Sequence, residues 1–406
     1  MLTAILIILI SSFAFERYLE WLNTKNWSDT LPEALEGLYN EEEYKKAQQY
    51  DRAKQKVSKI GSAFSLVLMI VFLISGSFAL LDTWTHHQTT DLMFQALLFF
   101  GILALLSDIL QMPFEIYNTF VVEEHFGFNR STIGIFFRDK IKGYVLAILL
   151  GGSMLSLFVL FYQVAGNNFW WIAWVCISGF SILISMFYAS WILPMFNKLS
   201  PLPDGELKTR LNDYCKKVQF PVSELFVMDG SKRSSKANAF FSGIGPKKKI
   251  VLFDTLIEKH TTDELLAVMA HEVGHYKKKH TQLTLLVSVL QTGLMLYLFS
   301  RLIGNVGLAS ALGAKEPSLP LGMVAFAMLY TPVSLALGVL MNSLSRKHEF
   351  EADAYAATTF GALPLASALK KLSVDNLSNL LPHRFYVFVY YSHPTLLQRL
   401  KKLKTY

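Results

Sequence analysis

The amino-acid sequence predicts a mainly α-helical, polytopic membrane protein with a domain at one membrane face that carries a small β-sheet. Hydrophobic residues make up 52% of the chain and charged residues only 17%, against about 25% in soluble domains. Seven apolar stretches approach the ~20 residues that a helix needs to cross a bilayer. The basic residues gather almost entirely in the loops of one face.

The seven expected spans are residues 1–22, 61–81, 92–113, 144–165, 169–193, 282–303 and 319–341. Glu16, Arg17 and Glu20 interrupt the end of the first. It lacks the basic leader and small-residue cleavage site of a signal peptide, so it reads as a span. With these spans, residues 23–60, 114–143, 194–281 and those after 341 share one face. All of the 38 Lys and Arg except Arg17, Arg301 and Lys315 lie there. That excess marks the cytosolic side. The net charge of +7 follows from the same loops, which argues against a nucleic-acid surface and for contacts with anionic lipid. Residues 41–59, acidic and then basic, read as a solvated helix between the first two spans. Cys176 and Cys215 are the only cysteines and imply no disulfide framework.

Within the longest loop, His271-Glu272-Val273-Gly274-His275 reads H-E-x-x-H in a segment of helical periodicity. Positions i and i+4 share a helix face, so His271 and His275 can offer two imidazoles to one Zn²⁺. Glu272, one step around, can reach a water on the open side. Thr261 and Glu264 form a capping box that opens this helix. A catalytic zinc usually takes a third protein ligand. His280 falls half a turn out of phase at 100° per residue and reads as a solvated helix-end residue. The acidic segment around residues 345–357 is the better source. Glu349 and Asp353 share a face, which lets Glu349 bind zinc and Asp353 accept a ligand histidine's free N–H. Glu351 points about 200° away from Glu349.

Residues 224–228, 236–241 and 249–253 read as short strands, with turns at Asp229-Gly230 and residues 243–246. They supply an edge for an extended peptide. Tyr391 and His393 sit in a turn, and either could donate to a developing oxyanion. The chain divides into residues 1–193 with the first five spans, 194–281 with the motif, 282–341 with the last two spans, and 342–406 completing the site.

Taken together, these residues resemble the type 1 CAAX prenyl protease family, integral-membrane zinc endopeptidases. The resemblance runs through 113–132 with Asp139 and Lys142, 238–243, 250–256, His271 to His275, Glu349 to Asp353, and Ser392-His393-Pro394-Thr395 with Arg399. It implies seven helices around a water-filled chamber, closed by a cytosolic zinc domain. It implies one Zn²⁺ held by His271, His275 and Glu349, with Glu272 as base, Asp353 orienting a ligand and His393 assisting at the carbonyl. Asn238 and Ala239, on the edge strand, together with Tyr391 and Arg399 are the expected substrate contacts. The implied partner is a peptide or protein ending in a CAAX-like, prenylated C-terminus.

Compact loops such as Gly166–Asn168 favour a bacterial inner membrane, where the physiological substrate would differ. The tail Lys402-Leu403-Lys404-Thr405-Tyr406 resembles an endoplasmic-reticulum retrieval signal. A broad-specificity membrane quality-control protease is the nearest alternative. A zinc-bearing transporter or scaffold is a more distant one, prompted by Asp108 within a span and opposed by Glu272, for which a structural site has no use.

Overall fold

The structure, a computed structural model, describes all residues except 29, 34–35 and 243–247, so the turn expected at 243–246 lies outside the described residues. Among those described, six helical runs are long and apolar enough to cross a membrane: Leu2–Lys25, Glu41–Ile74, Leu92–Glu123, Ile133–Phe196, His280–Leu302 and Leu319–Thr359. The fourth covers two of the expected spans. It turns at Gly166, whose φ of +51° suits glycine, through the short Gly166–Asn168 turn. Phe158 and Tyr162 before the turn then meet Phe169 after it edge-on, with ring centroids 5.6 and 5.4 Å apart, so the chain has doubled back.

The second span differs from expectation. Residues 41–59 and the span behind them form one continuous helix, Glu41–Ile74, started by a capping box between Asn40 and Glu43. It stops at Ile74, and the last residues of the expected span open a separate helix, Ser77–Gln88. The amino-terminal part of Glu41–Ile74 is not simply solvated. Tyr44, Ala47 and Tyr50 are buried in a cluster with Phe126, Phe128, Leu380 and Leu396. Hydrophobic i, i+3 residues there were masked in the sequence by the charges between them.

The membrane helices turn much of their apolar surface outward. Ile74, Ile148 and Val164 are 69, 72 and 78% exposed, which suits lipid and would be costly in water. Between the helices lies a cavity of about 1700 Å³ bordered by Phe100, Phe136, Lys140 and Tyr144, and another of about 750 Å³ bordered by Phe299, Phe326, Tyr330 and Asn342. Asp108 faces the larger one but is already paired. Its two oxygens meet Lys140 Nζ and the Tyr144 hydroxyl, each at 2.6 Å, and Lys140 also meets Glu115 at 2.7 Å. The intramembrane acid is therefore accounted for by local pairing.

A four-stranded sheet lies in the loop between the fourth and fifth runs. Its strands are β1 (Leu199–Pro201), β2 (Val222–Met228), β3 (Ala239–Ser242) and β4 (Lys248–Phe253), in the order β1-β2-β4-β3. β2 and β4 are parallel, and β1 and β3 are antiparallel to their neighbours. β3 is thus an edge. It begins three residues later than expected, and β1, only three residues long and containing Pro201, gave no strand signal.

The approach to β3 is strapped to the second, third and fourth runs. Arg233 makes a two-point bond to Asp139 at 2.8 and 3.1 Å and also donates to Asn197 and the Phe196 carbonyl. Lys236 meets Glu123 at 2.8 Å and the Tyr50 hydroxyl at 2.7 Å, while that hydroxyl donates to Glu123 at 2.6 Å. Two-point guanidinium–carboxylate bonds are among the stronger polar contacts. Replacing Arg233 by Ala should lower stability by about 1–3 kcal/mol. Thermal unfolding of the detergent-solubilised protein measures this, and an unchanged midpoint would remove the strap from the account.

Candidate metal centre

The motif lies on the helix Thr262–Lys277, whose start is fixed by its own sequence. Thr261 Oγ1 accepts the Glu264 N–H at 3.3 Å, and the Glu264 carboxylate accepts the Thr261 N–H at 2.9 Å. Glu264 also receives the Ser367 hydroxyl at 2.6 Å and Lys371 Nζ at 2.8 Å. Burial alone would raise this carboxyl. The three donors and the lysine charge outweigh it and hold it at about 2. Behind the cap, Leu265, Leu266, Met269, Ala270 and Val273 are buried against Leu252, Leu256 and Leu365. The helix is rooted in the domain core on that side, which leaves its other face to the site.

The partner is the long helix Leu319–Thr359, which continues the last membrane span without a break and carries Glu349, Glu351 and Asp353. The two helices pass closest at Gly274. A Cβ there would come within 3.0 Å of the Ala352 Cα and carbonyl oxygen and 3.2 Å of the Tyr355 Cβ. No side chain fits without displacing backbone. This close pass brings Glu349 under both histidines.

One donor atom each from His271, His275 and Glu349 lie within 4.8 Å of one another. The two Nε2 atoms are 3.1 Å apart, and they lie 3.4 and 3.3 Å from the Glu349 oxygens. Glu349 Oε2 is buried with no hydrogen bond among the described residues, Arg399 Nη1 stopping 3.3 Å away. Two ring nitrogens aimed at each other and a carboxylate oxygen with no hydrogen bond among the described residues leave lone pairs converging on one point. That donor set fits a divalent cation such as zinc. Burial disfavours a charged His271, yet the Asp353 and Glu349 carboxylates outweigh it and lift the group to about 9. The same anionic surroundings favour a bound cation. Glu272 is raised above its ordinary value by burial, against the pull of His271 and His275.

Asp353, fully buried, receives His271 Nδ1 at 2.9 Å and a two-point bond from Arg399 at 2.8 and 2.6 Å. Arg399 is itself buried between Asp353 and Glu349. Its expected contact is with substrate, but its guanidinium is spent on the two carboxylates. The segment bearing Arg399 is the helix Leu396–Leu403, capped by Thr395.

His280 corrects the sequence reading. It is 4% exposed rather than solvated, with Nδ1 3.0 Å from His275 Nδ1 and Nε2 2.8 Å from Glu351 Oε2. The extrapolation at 100° per residue fails because the motif helix ends at Lys277. Lys279 then adopts a φ of +60°, and His280 starts a new helix, folded back towards His275. Glu351 points away from Glu349, as its spacing requires, and on that side it meets His280.

His393 lies at the rim. Its Nε2 is 3.2 Å from Glu349 Oε1 and its Nδ1 is 3.0 Å from Ser392 Oγ. The sequence did not single out what puts it there. Arg346 donates to the Val387 and Tyr391 carbonyls at 3.1 and 2.5 Å, and Asn342 donates to the Val389 carbonyl at 2.7 Å. Both tie the helix Arg384–Tyr390 to the long helix. The Tyr391 ring packs on Tyr386, with centroids 5.9 Å apart, and not on Glu349. Asn238 is exposed just ahead of β3, its side chain accepting the Ala239 N–H at 2.8 Å. Ala239 packs against the core that holds Ala270 and Val273.

Two histidines one turn apart, a glutamate between them and a carboxylate from a membrane helix define a membrane metallopeptidase. Comparison with known proteins agrees. Residues 20–198 match the CAAX prenyl protease N-terminal domain, with five membrane helices, and residues 201–406 match peptidase family M48. The chain is 36% identical to CAAX prenyl protease 1 of Saccharomyces cerevisiae, over 97% of this chain and 93% of the yeast protein. It is 36% identical to the CAAX prenyl protease 1 homolog of Homo sapiens, over 77% and 74%. The crystal structure of S. mikatae Ste24p superposes with a TM-score of 0.94 at 35% identity, covering 99% of this chain and 98% of that one. The chain belongs to the CAAX prenyl protease 1 family of M48 metallopeptidases. It is a multi-pass membrane metalloendopeptidase acting on a peptide or protein, and its family implies a bound metal.

Two outcomes follow. Gly274→Ala forces the two helices apart and should cost about 1–3 kcal/mol. The same variant should weaken metal binding, measured by chelator competition, and wild-type affinity would show that the close pass does not set the site. Glu264, held at about 2 when folded against about 4.3 when free, stabilises the fold above the free value. That contribution is lost as pH falls towards the folded value. The difference in melting temperature between wild type and Glu264→Gln should therefore narrow between neutral pH and about pH 3. A constant difference would dismiss the ion-paired cap.

Proposed function

We propose that the protein is a zinc endopeptidase that cuts near the C-terminus of CAAX-type substrates, prenylated ones included, at the cytosolic face of its membrane. The observation that carries this reading is the convergence of His271, His275 and Glu349 beside Glu272. The names of the relatives support the substrate class. The gathering of Lys and Arg in the loops around the site supports the orientation. In this reading residues 194–281 and 342–406 form the catalytic cap, and residues 1–193 with 282–341 form the membrane body.

His271, His275 and Glu349 would hold one Zn²⁺, which when bound supplies Lewis-acid polarisation of the scissile carbonyl and a more acidic water. Glu272 takes a proton from the attacking water and passes it to the leaving amine. Its raised affinity for a proton suits a group that must both accept and return one. His393 Nε2 donates to the carbonyl oxygen as negative charge develops there. β3 pairs with the substrate as an added strand, with Asn238 and Ala239 at the entry to that edge. Arg399 and Asp353 keep His271 Nδ1 protonated, and so keep its Nε2 free for the metal.

The test is cleavage of a prenylated CAAX peptide by the purified protein in detergent, with the unprenylated peptide alongside and products identified by mass. Release of the last three residues should need zinc. Glu272→Gln should retain the metal and lose turnover by about 10²–10⁴-fold. Glu349→Ala should lose the metal itself. Equal cutting of both peptides would favour a broad-specificity membrane protease, and no cutting by a zinc-loaded protein would overturn the peptidase reading.

A further inference from the structure

We propose that His280 and Glu351 are positioning residues for the metal, forming a hydrogen-bonded relay, Glu351–His280–His275, that fixes which nitrogen of His275 is left to bind the ion. The proposal rests on the metal-centre reading above.

His280 is 4% exposed, so water cannot satisfy its ring, and each of its nitrogens has one partner: Glu351 Oε2 at 2.8 Å and His275 Nδ1 at 3.0 Å. An ionised carboxylate only accepts, so His280 Nε2 carries the hydrogen that faces Glu351. In a neutral ring Nδ1 is then bare and accepts from His275 Nδ1–H. His275 Nε2 is left without a hydrogen, and this is the nitrogen that converges with His271 Nε2 and Glu349. Reversing the order would put a hydrogen on His275 Nε2 and close that position to a metal.

The ring has little freedom to leave this arrangement. His348 stacks on His280 at 4.0 Å with the planes 9° apart, and the His275 ring meets His280 steeply at 75°. The left-handed Lys279 fixes where the helix carrying His280 begins. Glu351 sits at the rim with Lys347 3.8 Å away. The two ligand histidines thus receive equivalent treatment by different routes. His271 donates directly to Asp353, and His275 reaches its carboxylate through a second imidazole. Carboxylate partners of this kind orient metal-bound histidines and raise their basicity.

The test uses full-length protein in detergent: wild type, His280→Ala, Glu351→Ala, Glu351→Gln and the double variant His280→Ala/Glu351→Ala. Zinc affinity is read by competition with a chromophoric chelator, and the visible spectrum is recorded after Co²⁺ substitution. His280→Ala should weaken zinc by about 10–100-fold and shift the cobalt bands. Glu351→Ala should act in the same direction and more weakly, while Glu351→Gln, which keeps an acceptor oxygen, should stay near wild type. The double variant should be no worse than His280→Ala, because Glu351 acts only through His280. If His280→Ala does not fold, the split between Glu351→Ala and Glu351→Gln decides. Wild type binding one zinc while His280→Ala matches it in affinity and spectrum would overturn the relay alone, as would additive losses in the double variant. Wild type binding no zinc would overturn the metal reading and the relay with it.

Discussion

Where Gly274 passes Ala352, the motif helix and the last membrane helix come so near that a single Cβ would meet backbone at 3.0 Å. Glu349 lies three residues before Ala352 and His275 one residue after Gly274, so the donor atoms inherit their separation from this pass. Backbone is the least yielding partner a contact can have, because displacing it moves a whole helix. A side chain at 274 would open the gap between Glu349 and the histidines while leaving every donor residue present. The position between the motif histidines that looks least chemical is therefore the one on which the spacing of the three donors depends.

The site hangs from two membrane helices. After the motif helix ends at Lys277, only two residues precede the helix His280–Leu302, and Glu349 stands on an unbroken extension of Leu319–Thr359. Ligands on helices are held more tightly than ligands on loops. The one loop contribution, His393, is fixed indirectly, by Arg346 and Asn342 gripping the carbonyls of the helix before it. The straps at Arg233 and Lys236 do the same for the approach to β3. Helix-borne donors with a tethered rim suit the proposed role, in which an extended chain enters without displacing the ion.

The parts of this arrangement that obey a helical period were legible in the sequence. His271 and His275 share a face, Glu349 and Asp353 share another, and the capping box at Thr261 stands where the residue pattern puts it. What escaped was set by breaks in the period. His280 was misplaced because one left-handed residue, Lys279, turned the chain, and nothing in a lysine announces a positive φ. The helix Glu41–Ile74 looked like two pieces because charged residues hid the buried Tyr44 and Tyr50. Strand β1 is too short to show alternation. The burial of Arg399 between Asp353 and Glu349 is a tertiary fact, since those residues stand about fifty positions apart.

Charge closes the argument about the ion. Glu272, half-buried, joins the buried carboxylates of Glu349 and Asp353, and among the described residues Arg399 is the one permanent cation paired with the buried two. Buried charges of one sign are costly unless matched. Three against one leaves an excess of two negative charges. A proton on His271, which the Asp353 and Glu349 carboxylates favour, removes part of that excess. A dication removes all of it, and it does so at the point where Glu349 Oε2 has no hydrogen bond among the described residues and the two Nε2 atoms face each other. The guanidinium of Arg399 lowers this excess through its pairing with Asp353 and Glu349. Without it the excess would be three, and a dication would leave Asp353 uncompensated behind His271.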